Sequence, residues 1–256
     1  MNILVLLKQV PQSEAATEIN PQGSFISRSP NTPYKMNRFD EYALEEALII
    51  KESYPGVRVD VVTLGPERAK EVLKRAFGMG ADEGIHILAD DGAYHDPGDV
   101  AAQLAGVAGN GDYDLIFSGI MSEDMMQAQT GQMVAEIMGL PCVSSVIGFT
   151  LDVEGKKAHV KREIEGGRRN LLQITLPCLF TIQAGINTPR YPTLSKILKA
   201  NSKSIQMVKE KTTAQRQQCL EIRSPEKQRA GLVLQGSRDD KARELARILR
   251  QKNIMR

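Results

Sequence analysis

The chain opens on Asn2–Leu7, an apolar run without alternation. That is the pattern of a strand buried on both faces of a parallel sheet. Three further strand-like segments follow: Val57–Leu64, closed by Gly65-Pro66, then Gly84–Leu88, then Asp114–Ser118, which ends at Gly119. Segments with helical spacing lie between and after them. Asp40–Lys51 repeats apolar positions at Ala43, Ala47, Leu48 and Ile50, and carries acids in its first turns that suit the macrodipole. Glu67–Phe77 is halted by Gly78 and Gly80, Asp99–Val107 follows, and Gln127–Met138 is halted by Gly139 and Pro141. Strands alternating with helices predict an α/β fold with a mostly parallel, doubly wound sheet and right-handed crossovers. Ligands in such sheets bind beyond the carboxyl ends of the strands. Here those ends are Leu7–Val10, Thr63–Pro66 and Ser118–Ser122.

From Cys142 the rhythm changes to successive strands over Val143–Thr150, Lys157–Ile164, Leu171–Ile174 and Leu179–Ile182. They predict an antiparallel extension of the sheet, with a tight hairpin at the charged, glycine-bearing stretch Arg162–Arg169. Gln12–Pro33 is polar and reads as a long loop with a small hairpin around Gly23. The Pro-Arg-Tyr-Pro segment at 189–192 is conformationally restricted and predicts a stiff protruding loop that ends on an exposed Leu194. Such a loop suits a chain that offers a surface to a partner. A short helix over Leu194–Ala200 and a last strand over Ser204–Val208 follow. Lys209–Gln228 is a charged linker, and Asp239–Gln251 is an amphipathic helix with Leu245, Ile248 and Leu249 as its apolar stripe. The organisation expected is an α/β domain over 1–188, a loop, helix and last strand over 189–208, and a C-terminal arm over 209–256.

Composition removes several classes of function. The net charge of +2 does not describe an electrostatic nucleic-acid binder, and the basic runs Lys196–Lys203 and Lys209–Arg216 read as solvated surface. Cys142, Cys178 and Cys219 are too far apart for a disulfide framework and fit a reducing cytosol. His86, His95 and His159 show no metal-ligand spacing. No apolar run approaches the roughly 20 residues that cross a bilayer, and MNILVLLKQV lacks the basic flank and cleavage site of a signal peptide. The expectation is a soluble cytoplasmic protein. The phosphate loop, the GxGxxG turn (KQVPQ stands in its place), the GxSxG elbow and HExxH are all missing, so no enzymatic constellation is expected. Glu45 and Glu46 read as solvated helix surface, and Glu163 with Glu165 as an ion-paired turn.

Gly119–Thr130 (GIMSEDMMQAQT) is the segment best suited to binding. It follows a strand and opens a helix, so backbone N–H groups and the helix N-terminus can hold an anion. Ser122, Gln127, Gln129 and Thr130 add donors. An ordinary loop with Ser122 as N-cap is the equal alternative. Asn37 with Phe39 offers a polar contact and an aromatic face.

These pieces occur together, in order, in a known family. Lys8-Gln9-Val10-Pro11, Met36-Asn37-Arg38-Phe39-Asp40-Glu41 with Ala43–Ala47, Leu64-Gly65-Pro66, Gly78–Asp82, Gln129–Met133, Val160–Thr181 and Thr188–Leu194 resemble the electron transfer flavoprotein beta subunit across about residues 1–208. The resemblance implies a three-layer, flavodoxin-like, adenine-nucleotide-binding fold in a heterodimer whose alpha subunit holds most of a redox FAD. It implies a structural AMP touching Leu6, Asn37, the strand end Val61, Val62, Thr63 and Leu64, and Gly119, Ser122, Gln127, Gln129 and Thr130. It brings Phe39 toward the FAD. It makes Leu194, with Tyr191 and Ile197, the anchor that docks on an acyl-CoA-type dehydrogenase, with a membrane quinone oxidoreductase as the electron acceptor. The chain itself would be an electron carrier subunit, not an enzyme. One branch of the family carries a second FAD in place of AMP and bifurcates electrons from NADH. The intact Thr130-Gly131-Gln132 favours AMP. Met121, Met125 and Met126, with Glu123 and Asp124 between them, depart from the family's usual loop, as do Pro192 and Ser195 from its docking segment. A stand-alone ATP-binding α/β domain is the third reading; the missing phosphate loop and the apolar stripe of the last helix count against it.

Overall fold

Asn2–Leu7 forms β1 in the middle of a nine-stranded sheet, and its residues divide by parity between two cores. Ile3, Val5 and Leu7 pack toward helix α1 (Arg38–Ser53), whereas Leu4 and Leu6 join Ala101, Leu104 and Ala105 of helix α3 (Pro97–Ala108). A strand buried on both faces disfavours polar positions, and its five buried residues, Ile3 to Leu7, are all apolar. The computed structural model describes residues 1–12, 18–20, 26–27, 29, 31–90, 95–211, 217, 219–223 and 231–255. They fall into two compact units, Met1–Ile222 and Arg223–Arg256.

After β1 come the short strands β2 (Gln9–Pro11), β3 (Glu18–Ile19), β4 (Ile26–Ser27) and β5 (Tyr34–Met36). β2 pairs with β5, and β3 pairs antiparallel with β4. The expected small hairpin is thus present, while its turn at Gly23 lies outside the described residues. Then follow β6 (Arg58–Gly65), a single 3-10 turn leading into helix α2 (Lys70–Met79), and β7 (Glu83–Leu88). Past α3 are β8 (Leu115–Gly119), α4 (Thr130–Met138), β9 (Cys142–Asp152), β10 (Lys157–Glu163), β11 (Arg169–Thr175) and β12 (Cys178–Ile182). Helix α5 (Leu194–Ala200) and β13 (Gln206–Lys209) complete the first unit, and α6 (Arg238–Gln251) lies in the second.

The large sheet runs β11-β10-β9-β12-β8-β1-β6-β7-β13. The chain winds outward from β1 through β6 and β7, then returns to place β8 on the other side of β1. The switch point therefore falls between β1 and β8. From β9 to β13 all neighbours pair in parallel. β9, β10 and β11 form the antiparallel extension.

Three details differ from the reading of the sequence. Leu179–Ile182 does not belong to the extension, because β12 is inserted in parallel between β8 and β9. Its burial explains this: all five of its residues are buried, so it needs cover on both faces. Phe180 meets Phe117 at 5.9 Å and Phe149 at 5.4 Å, which locks β8, β12 and β9 together. Gly78 does not stop α2; the helix runs past it and ends at Gly80, whose φ of +136° suits glycine. Helix α4 begins at Thr130, not at Gln127, because Met126 and Ala128 hold φ values of +52° and +53°. Among the described residues no helix is long and apolar enough to cross a membrane.

Candidate functional site

A cleft of about 250 Å³ opens at the carboxyl ends of β1, β6 and β8, where the switch point predicts one. Leu6, Asn37, Leu64, Gly119, Ser122, Gln127, Gln129 and Thr130 all line it. Val61, Val62 and Thr63 do not; they are buried within β6 below the cleft. Phe39 does not line it either. It stands behind Gly119, where an added Cβ would fall 2.6 Å from the Cβ of Phe39.

The first turn of α1 holds the cleft's frame. Asp40 is buried, and its Oδ2 accepts the backbone N–H of Lys8 at 2.7 Å. Its Oδ1 accepts the N–H of Gly119 and the amide of Asn37, each at 3.0 Å. One carboxylate thus ties the ends of β1 and β8 to the start of α1. Burial pushes the Asp40 carboxyl up to about 7, against the pull of those donors. Asn37 is also committed to structure: its Nδ2 donates to the carbonyl of Met121 at 2.9 Å and its Oδ1 accepts from Glu123 N at 3.1 Å. Its side chain therefore shapes the loop over 120–129.

Lys8 bridges across the cleft, donating to Asp124 at 2.7 Å and to Ser122 Oγ at 3.2 Å. Burial resists ionisation of Asp124, but Lys8 and the hydrogen bonds from Lys8, Ser122 and Met125 outweigh it and hold the carboxyl below its ordinary value. Ser122 is accordingly part of this cluster and does not cap α4. Gln129 stands at the N-cap of that helix and makes no capping hydrogen bond through its side chain. Gln129, Thr130 and Gly131 of its first turn line the cleft, and the positive φ at Ala128 followed by the right-handed Gln129 is a backbone shape that suits an anion. Gly131 is what brings the helix so close to the sheet. A Cβ there would lie 2.6 Å from Ser118 Oγ and 2.8 Å from Thr181 Cγ2. Ser118 Oγ itself is buried without a hydrogen-bond partner among the described residues. Leu6, Leu64, Val100 and Leu104 add apolar lining to the same cleft. The arrangement suits a ligand with a flat apolar body and an anionic end.

The sequence reading bracketed Lys8 and Ser118 within strand ends but did not name either as a contact, and it did not name Asp40 or Gly131 as members of the site. The pattern SGI at the end of β8 and TGQ at the start of α4 was the available signal, since small residues there permit close backbone approach. His86 lies under the rim, buried, with Nε2 2.9 Å from the Gly65 carbonyl oxygen. Its Nδ1 and the neighbouring Thr63 hydroxyl have no hydrogen-bond partner among the described residues. Among the described residues His95 is the one histidine with two carboxylates near it: His95, Asp99 and Glu210 bring their ligand atoms within 4.8 Å of one another.

The electron transfer flavoprotein domain model matches residues 29–213. The electron transfer flavoprotein subunit beta of Bacillus subtilis strain 168 is 31% identical over 258 residues, covering 98% of this chain and 98% of that protein. Its namesake from Methylophilus methylotrophus is 35% identical over 209 residues, 81% of this chain and 79% of that one. The caffeyl-CoA reductase–Etf complex subunit CarD of Acetobacterium woodii is 35% identical over 207 residues, with 80% and 77% covered. The chain belongs to the electron transfer flavoprotein beta-subunit family.

In this family member the second region singled out from the sequence is the loop before α5. Tyr191 and Leu194 are 85% and 73% exposed, and Ile197 sits at the edge of exposure at 39%. The loop is anchored where the sequence reading placed solvent. Glu45 and Glu46 are buried, not solvated: Arg190 forks onto Glu45, with Nη2 to Oε1 at 2.9 Å and Nε to Oε2 at 2.9 Å. Asn187 donates to Glu46 at 2.9 Å. Burial raises the Glu46 pKa, with Asn187 pulling it down. A lone pair of adjacent glutamates on a helix carries no local sign of partners that arrive about 145 residues later.

Proposed function

We propose that this chain is the beta subunit of a heterodimeric electron transfer flavoprotein, with a structural AMP in the cleft and an alpha subunit that holds most of a redox FAD. The observation that carries this reading is the start of α4, where Gln129 makes no side-chain cap, lining one apolar-walled cleft with Lys8. It offers an anion site beside a slot for a planar base, at the sheet's switch point. The residues present fit an adenylate. Gly131 leaves backbone room for a phosphate, the buried Ser118 hydroxyl has no hydrogen-bond partner among the described residues, and Leu6, Leu64 and Leu104 supply the apolar wall. Of the proposed contacts, Leu6, Leu64, Gly119, Ser122, Gln127, Gln129 and Thr130 would act directly. Asn37 would act by holding the loop, and Val61, Val62 and Thr63 by forming the floor.

The flavin, when bound, supplies the one-electron chemistry; the chain contributes binding, orientation and docking. Electrons would enter from an acyl-CoA-type dehydrogenase engaged by Leu194, with Tyr191 and Ile197 beside it, and leave to a membrane quinone oxidoreductase. Phe39 would face the flavin from the α1 side. The chain makes no bonds itself, and the setting proposed is the cytoplasm. Residues 209–256 form the arm that packs on the alpha subunit, with 1–188 as the nucleotide-binding body and 189–208 as the docking element.

A second reading has one observation in its favour. The cleft continues past Lys8 to Tyr34 and Arg68, whose guanidinium lies 4.0 Å over the Tyr34 ring. That extension adds lining beyond the α4 end of the cleft, and one relative is a subunit of a caffeyl-CoA reductase–Etf complex. A second FAD in the cleft would make the complex a bifurcating one. Co-expression with the alpha subunit of the same organism, followed by denaturation and nucleotide analysis, decides between them. About one FAD and one AMP per heterodimer supports the first reading, and about two FAD supports the second. Absence of both a heterodimer and a bound nucleotide would overturn both.

A further inference from the structure

Arg190 occupies an unusual position in the loop between β12 and α5. Its guanidinium Nε and Nη2 reach both oxygens of Glu45, at 2.9 to 3.1 Å, and its backbone N–H donates to Glu45 Oε2 at 3.0 Å. The same guanidinium also contacts Glu52, about two turns further along the same face of α1. The Glu45 side chain is 7% exposed, so the pair is largely withdrawn from water. A bidentate fork of this kind fixes direction as well as distance. Asn187 adds a second attachment on α1, donating to the Tyr42 carbonyl at 3.0 Å. The far side of the loop rests on α2, where Gly78 leaves space for Pro192: a Cβ at Gly78 would be 3.1 Å from the Pro192 Cβ. The loop is therefore held on both sides, yet Tyr191 and Leu194 remain exposed. Large apolar side chains displayed on a braced backbone form a docking surface whose ordering cost has been met in advance.

We propose that Arg190 is a positioning residue for partner docking: by closing on Glu45 and Glu52 of α1, it sets the backbone from Asn187 to Thr193 so that Leu194 is presented in the posture the electron donor engages. The inference rests on the docking role given above for Leu194. It differs from it in naming the device that holds the anchor. It also makes α1 the common support of the cleft and the docking loop, since the same helix carries Asp40 at its first turn and Glu45 one turn later.

The test uses the heterodimer with its alpha subunit and an acyl-CoA dehydrogenase from the same organism as donor. The variants are Arg190→Gln, Arg190→Lys, the double change Arg190→Gln with Glu45→Gln, and Leu194→Ala. Arg190→Gln should raise the KM for the dehydrogenase by about tenfold with kcat within about twofold, because a disordered loop must be re-ordered at each encounter. Nucleotide and FAD content should be unchanged. Amide hydrogen exchange over 187–194 should quicken in Arg190→Gln and not in Leu194→Ala. Lysine cannot reproduce the fork, so Arg190→Lys should recover little. The double change removes the stranded buried charge and should restore thermal stability without restoring KM, which separates positioning from mere folding. A KM within twofold of wild type in Arg190→Gln overturns the proposal, as does recovery of KM in the double variant. If the wild-type heterodimer takes no electrons from the dehydrogenase, the docking role itself fails. The exchange measurement then decides the bracing alone, and unchanged exchange in Arg190→Gln overturns it.

Discussion

Asp40 holds two backbone N–H groups and one side-chain amide with a single carboxylate. Its oxygens satisfy Lys8 N, Gly119 N and the Asn37 amide, so its loss strands donors from three segments. Asp40→Ala should lower the unfolding free energy by about 3 kcal/mol or more, read from urea denaturation, since each buried unpaired donor costs about 1–3 kcal/mol. Its pH behaviour has a definite sign. The folded-state pKa of about 7 lies above the ordinary value of 3.8, so the native state takes up the proton first. That contribution is complete below the ordinary value and is lost as the pH rises through about 7. The advantage of wild type over Asp40→Asn should accordingly be larger at pH 5 than at pH 8; an advantage that grows with pH would contradict the assignment. Gly131 makes the other prediction at this scale. Gly131→Ala puts a methyl 2.6 Å from Ser118 Oγ, and α4 must retreat from the sheet. The purified heterodimer should then retain at least about tenfold less AMP, with a stability loss of about 1–3 kcal/mol.

At the scale of elements, α1 and α2 show how little of a helix's duty is written in its own spacing. The apolar stripe Ala43, Ala47, Leu48 and Ile50 is legible because the core demands it, and the helix forms where that stripe places it. Glu45 and Glu46 share the helix and carry no such mark, because their partners come from the loop near Arg190. Gly78 was read as a stop signal from propensity alone; its place is inside α2, under Pro192 and Ile197. Gly78→Ala tests that reading. Propensity favours alanine by about 1 kcal/mol, but the Cβ would press on Pro192. Stability should therefore fail to rise, and exchange over the docking loop should quicken. The start of α4 follows the same logic. Gln127–Gln129 are good helix formers, yet Met126 and Ala128 adopt positive φ. Ala128→Gly should consequently stabilise the chain by a few tenths of a kcal/mol up to about 1, measured by thermal unfolding, because an alanine in that region carries a steric cost of about 1–2 kcal/mol.

For the whole molecule, the sheet order places the candidate cleft. Winding outward from β1 and returning to β8 leaves the strand ends open at one point, and the loop over 120–129 closes on it. The chain beyond Ile222 forms its own compact unit, built around α6 with a Ser237–Asp240 capping box. Its apolar residues Leu245, Ile248 and Leu249 have little to bury within so short a unit. In the isolated chain, limited proteolysis should cut first within 209–228, and the alpha subunit should slow that cut. A tail that resists protease without the alpha subunit would argue against the proposed arm.

The order of strands and helices, the parallel sheet with its antiparallel hairpin and the segment that borders the cleft were determined by the sequence itself. Burial on two faces, helical periodicity and turn residues act over a few neighbours, so each leaves its mark where it acts. Tertiary structure alone decided that β12 enters the sheet between β8 and β9, that Asn37 shapes a loop, that Asp40 joins three segments and that a pair of glutamates holds the docking loop. These outcomes depend on groups far apart in the chain meeting in space, where burial strips water from a charge and a single hydrogen-bond partner can settle what a side chain is for.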